Sequence, residues 1–164
     1  MIILGIDPGT TAMGYALVAR DTKPRLLGAG MVTVTSHDAP GRLRDIYREL
    51  SAIIRQWKPD TLSVEKLFFT KNAKTAMDVS QSRGVVLLTA ALAGLTVYEY
   101  TPLEIKKIVT GDGGADKTQV KKMVHLIFPD HKNLSGRDDM FDAIAAALAC
   151  CFASPPDGAL HLRA

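Results

Sequence analysis

The segment Asp138–Phe152 restricts the fold more than any other stretch of this chain. It reads as one uninterrupted helix, with acids in its first turns and alanines after them. At about 100° per residue, Met140, Phe141, Ile144, Leu148 and Cys151 share one arc. The opposite arc carries Asp138, Asp139 and Asp142 with Ala143, Ala146 and Ala149. A solvated face would carry long polar side chains. Repeated alanines instead let another element approach closely, with the acids at the edge of the contact. The helix dipole also favours acids in a first turn, but carboxylates beside a packed face need partners or metal ions. Asp138 and Asp142 are spaced i, i+4, and Asp139 and Asp142 i, i+3. Both pairs can face the same way, so spacing alone leaves the choice open.

Upstream, strands and helices alternate. Residues 2–7 are an apolar run that ends at the turn Asp7-Pro8-Gly9, and they read as a buried strand. Residues 14–20 and Leu26 to Thr35 read as two more strands on short links, an antiparallel meander. Leu43, Ile46, Tyr47, Leu50, Ile53, Ile54 and Trp57 then form a helical apolar stripe, which Lys58-Pro59-Asp60 stops. A strand from Thr61 to about Phe68 follows. Next come a helix from Ala73 to Ala93 ended by Gly94, and a strand from Thr96 to Tyr100. In the Ala73–Ala93 helix, core is the expected place for most of Met77, Val85, Leu87, Leu88 and Leu92. Asp116 and Gln119 make a capping-box pattern ahead of Val120, Met123, Val124 and Ile127. The fold class is α/β, a five-stranded mixed β-sheet with helices on its faces. Residues 1–154 form one domain, and 155–164 are a short, weakly basic tail.

Two further acids stand at strand ends. Asp7 closes the first strand, at what is also an ordinary turn signal. Glu65 shares strand parity with Thr61 and Ser63, the polar side of its strand. Strand-end acids plus a helix acid pair are what two-metal phosphodiester chemistry requires. Two divalent ions about 4 Å apart need several carboxylates from different elements, and hard cations prefer oxygen ligands.

Composition narrows the class. The chain has 164 residues, 47% hydrophobic and 23% charged, which is ordinary for a folded domain. A net charge of +3 is compatible with nucleic acid but does not indicate it. Cys150 and Cys151 are adjacent in an apolar helix and make neither a disulfide framework nor a zinc site. The four histidines, His37, His125, His131 and His161, lack zinc-ligand spacing. No signal peptide is legible, and the longest near-apolar run, Val85 to Val97, is too short to span a bilayer. The expected location is cytoplasmic, with no membrane association.

Four segments together resemble the RuvC-type Holliday junction resolvases: GIDPGTTAMGY, VEKLFFTKNAKTAMDVSQSRGV, GADKTQVKKMV and DDMFDAIAAALA. They occur in family order across about residues 2–150. The resemblance implies a ribonuclease H-like fold and a magnesium-dependent homodimer that makes paired symmetric nicks across four-way junction DNA. It implies 5′-phosphate and 3′-hydroxyl ends. It names Asp7, Glu65, Asp139 and Asp142 as catalytic metal ligands and favours Asp139 over Asp138. Mg²⁺ and Mn²⁺ both accept such oxygen ligands. It also implies partnership with a RuvA–RuvB branch-migration motor.

Lys106, Lys107, Lys117, Lys121 and Lys122 are candidates for phosphate contact, and the resemblance raises Lys106 and Lys117 most. Without it, a solvated charged face would account for them. The resemblance also selects Phe68 to stack on an unpaired base beside the acids, and gives the Ala73–Ala93 helix a dimer interface. Three other functions compete. The Gly5–Thr11 turn is similar to the phosphate hairpin of sugar-kinase/actin-type ATPases, which need a second domain. A junction binder without catalysis has no need of four acids. A ribonuclease H-like nuclease acting on RNA is the third.

Overall fold

The computed structural model describes residues 1–66, 73–131 and 134–153. Five strands form one sheet: β1 (Ile2–Asp7), β2 (Gly14–Ala19), β3 (Arg25–Met31), β4 (Thr61–Glu65) and β5 (Thr96–Tyr100). Five helices accompany them: α1 (Ala39–Trp57), α2 (Ala73–Leu92), α3 (Pro102–Thr110), α4 (Lys117–Ile127) and α5 (Asp138–Phe152). The strand order is β3-β2-β1-β4-β5. β1, β2 and β3 pair antiparallel as the meander, while β4 and β5 join parallel to β1 and to each other.

Alternation along β1 divides the core. Leu4 and Ile6 point to one face, with Leu17, Leu62, Val64 and Val97, against Ile46 and Leu50 of α1 and Val86 and Ala90 of α2. Ile3 points to the other face, with Ala16 and Val18, against α3, α4 and α5. The sheet thus carries helices on both sides, as the sequence pattern predicts.

α5 is the central helix of the second layer. Residues Met140 and Phe141 and all of Ala143 to Cys151 are buried. One side of α5 lies on the sheet at unusually close range. A Cβ at Gly5 would overlap the Ala143 carbonyl oxygen and come within 2.8 Å of the Ala147 Cβ, and a Cβ at Gly14 would overlap the Asp139 carbonyl. Beside Gly5 on β4, Ser63 is fully buried and donates its hydroxyl to the Ala146 carbonyl at 2.6 Å. Ser63 is therefore roofed by α5, and since Thr61 is buried as well, these two are not the wetter side of the strand.

Three other expectations change. β3 ends at Met31, short of Thr35, because Asp45 of α1 accepts hydrogen bonds from the Thr35 and Ser36 backbone and draws residues 35–36 off the sheet. α3 is an additional helix. Its signal is Thr101-Pro102-Leu103-Glu104, in which Thr101 and Glu104 cap each other and proline occupies the first turn. On α2, Met77, Leu88 and Leu92 are 66%, 56% and 68% exposed and do not join the core. Only one side of that helix reaches the sheet and α1.

Candidate active site

The sheet delivers Asp7 and Glu65 side by side. β1 and β4 run parallel in register to Ile6 and Val64, so the next residues, Asp7 and Glu65, leave the ends of neighbouring strands, which lie about 4.8 Å apart across the sheet. Opposite Asp7 on β2 is Gly14. Because Gly14 has no side chain, the first turn of α5 settles on it and brings Asp139 to the same edge. Asp142 follows on the next turn.

These acids line one cleft of about 350 Å³ with Pro102, Ile105, Lys106, Lys117, Val120 and Ala145. The cleft therefore gathers Asp7, Glu65, Asp139 and Asp142, together with Lys106 of α3 and Lys117 of α4. Asp138 is not part of its lining. Lys107 is exposed and Lys121 half-buried, and both stand outside the lining. Lys122 lines a separate groove between α3 and α4 with Thr110, Asp112 and Gln119. Phe68 lies outside the described residues. Arg137 escaped the sequence reading, although its place next to two acids was a signal. Its Nε is 3.2 Å from Asp139 Oδ2.

The acids crowd one another. Asp7 is pushed up to about 7, first by burial and then by the charges of Asp142, Glu65 and Asp139, with Lys117 opposing. Glu65 is raised by burial and by Asp142, while Lys117 and Lys106 oppose. Lys117 is raised by its hydrogen bond to Asp142, 3.0 Å from Nζ to Oδ2. It is the cationic group nearest the centre of this charge. Among the described residues, no three acidic, histidine or cysteine side chains close into a ligand cage. Their chemistry nonetheless fits divalent metal. The four groups are hard oxygen donors, and their mutual repulsion is what an added cation relieves.

The crossover junction endodeoxyribonuclease RuvC family model matches residues 3–151. The enzyme of that name from Syntrophomonas wolfei is 45% identical over 150 residues, 90% of this chain and 87% of its own. The one from Chloroflexus aggregans is 45% identical over 157 residues, 94% and 95% of the two chains. Among solved structures, Thermus thermophilus RuvC in complex with a Holliday junction substrate superposes with a TM-score of 0.86 at 33% identity, covering 93% of each chain. A yeast mitochondrial Holliday junction resolvase shares the fold at a TM-score of 0.66 and 13% identity, covering 91% of this chain and 78% of its own.

Proposed function

The chain belongs to the RuvC family of crossover junction endodeoxyribonucleases, and on that premise we propose that it resolves four-way DNA junctions by magnesium-dependent hydrolysis at the cleft of Asp7, Glu65, Asp139 and Asp142. One observation carries the reading: four carboxylates from two strands and one helix line a single cleft, where burial first and then the charges of the other three raise the pKa of Asp7.

In this reading Asp7 and Glu65 from the strand ends, with Asp139 and Asp142 from α5, hold Mg²⁺, and Mn²⁺ is an acceptable substitute. Bound there, the metal supplies a water of lowered pKa and a counter-charge for the leaving 3′-oxygen. The chain's own groups do the rest. Lys106 and Lys117 reach into the cleft from two helices and attract the scissile phosphate. Ile105, Val120 and Ala145 give the cleft an apolar wall that keeps these charges poorly screened. Gly5 and Gly14 fix the height of α5 over the sheet, and so the spacing between strand acids and helix acids. The products are a 5′-phosphate and a 3′-hydroxyl. Lys107 and Lys121 contribute phosphate contacts outside the cleft. Phe68 stacks on an unpaired base, an interaction of about 1–3 kcal/mol.

Paired symmetric nicks call for a homodimer with a two-fold axis. The exposed face of α2 supports one. Met77, Gln81, Gly84, Leu88 and Leu92 follow one another at three- and four-residue spacing along it. Gly84 in its middle costs the helix about 1 kcal/mol, yet no contact within 4 Å awaits a Cβ built there among the described residues. A second copy packed over this face gives Gly84 a purpose. Gly84→Leu is expected to yield a folded monomer by sedimentation, and an unchanged dimer would remove this face from the interface.

A cytoplasmic location suits a DNA substrate, and no helix among the described residues is long and apolar enough to cross a membrane. The same proposal includes partnership with a RuvA–RuvB branch-migration motor, tested by junction cleavage coupled to migration. The deciding experiment for the nuclease reading is nicking of a synthetic four-way junction with Mg²⁺, beside a linear duplex and an RNA–DNA hybrid, with Asp7→Asn as control. Paired junction nicks lost in Asp7→Asn are expected. Equal cutting of the hybrid, or full activity of Asp7→Asn, would overturn it.

A further inference from the structure

Asp138 adjoins Asp139 in the first turn of α5, yet it stays out of the cleft lining, and its side chain is 51% exposed. Its two oxygens reach two lysines one turn apart on α4. Oδ1 accepts from Lys121 Nζ at 2.6 Å, and Oδ2 is 3.6 Å from Lys117 Nζ. Lys121 is steadied from another side by the Phe141 ring, whose centre is 5.2 Å from the ammonium. Lys117 has a second acid, Asp142, at 3.0 Å. Asp142 is one of the four proposed metal ligands, so a divalent ion and Lys117 compete for the same carboxylate. Among the described residues, Asp138 is then the acid left to hold Lys117.

We infer that Asp138 is a positioning residue: its carboxylate bridges Lys117 and Lys121 and keeps the Lys117 ammonium at the rim of the cleft when Asp142 is engaged by metal. The inference rests on the proposed nuclease site and adds a residue to it. A purely structural role is a poor account of Asp138, because exposed ion pairs add little to folding stability. A misplaced phosphate contact is another matter, since an ångström of error can cost a hundredfold in rate. The carboxylate also carries a cost for DNA affinity, because it neutralises lysine charge that would otherwise attract phosphate.

The test uses the full-length protein and a synthetic four-way junction, with single-turnover cleavage at saturating protein and Mg²⁺. Asp138→Asn is expected to slow cleavage by about ten- to a hundredfold, with junction affinity equal or tighter and melting temperature nearly unchanged. Asp138→Glu restores most of the rate. The double variant Asp138→Asn with Lys117→Ala is no slower than Lys117→Ala alone, because both changes break one linkage. The ¹⁵N ammonium resonances of Lys117 and Lys121, read with Mg²⁺ and without DNA, shift in Asp138→Asn. A wild-type cleavage rate in Asp138→Asn, an equal further loss on top of Lys117→Ala, or unmoved ammonium resonances would each overturn the inference. If the wild-type protein itself leaves junctions intact, the nuclease reading fails, and the resonances still decide whether Asp138 holds the two lysines.

Discussion

Replacing Asp7 with asparagine separates the electrostatics of the cleft from its chemistry. Asp7 has a pKa of about 7 in the folded protein against 3.8 for the free side chain. A carboxyl whose pKa rises on folding binds more protons folded than unfolded between those two values. Stability is therefore fully present below pH 3.8 and is lost as the pH climbs to about 7. At about 1.36 kcal/mol per unit, the ceiling on that loss is about 4 kcal/mol. Solvent screening of the partly exposed group reduces it, and about 2 kcal/mol is the working figure. Asparagine has the shape of the carboxyl and never ionises. In EDTA at pH 8, Asp7→Asn should thus melt about 4–8 °C higher than wild type, while at pH 4 the two should coincide. Mg²⁺ at pH 8 should stabilise the wild type much more than the variant. The assay is thermal unfolding of both proteins at the two pH values, with and without Mg²⁺. A variant less stable than wild type at pH 8 without metal, or a difference that ignores pH, would refute the crowding of charge described for this cleft.

Three further outcomes follow from named contacts. Gly5→Ala drives a methyl group into Ala143 and Ala147 of α5 and is expected to cost about 3 kcal/mol in denaturant unfolding; a neutral effect would show that the sheet-to-helix distance is not fixed by glycine. Lys117→Ala should reduce the slope of log affinity for junction DNA against log salt by about one unit, and an unchanged slope would remove Lys117 from phosphate contact. Asp45 is held down to about 2 by hydrogen bonds from Ser36 and then Thr35. Its stabilising contribution is therefore present above pH 3.8 and lost as the pH falls towards 2. Asp45→Asn should melt below wild type at pH 7 and converge with it near pH 2, and a gap that persists at pH 2 would contradict this.

The sequence by itself determined the elements and the chemistry of the site. The apolar run closed by Asp7, the five-residue strand Thr96–Tyr100, the Asp116–Gln119 cap and the alanine-rich helix are encoded locally, and they occupy the same residues in the structure. Acids at two strand ends and in one helix turn were legible for the same reason, since strand parity and helical spacing depend on nothing distant. Tertiary structure alone decided which groups meet. Spacing could not rank Asp138 against Asp139. The contact of α5 with Gly14 turns Asp139 into the cleft and leaves Asp138 to Lys121 and Lys117. Nor could it tell that Thr61 and Ser63 are buried, that the lysines of α3 and α4 divide between the cleft and other surfaces, or that Met77, Leu88 and Leu92 of α2 are exposed. Those outcomes depend on close approach between residues far apart in the chain, and a periodic pattern records which faces are apolar without recording what covers them.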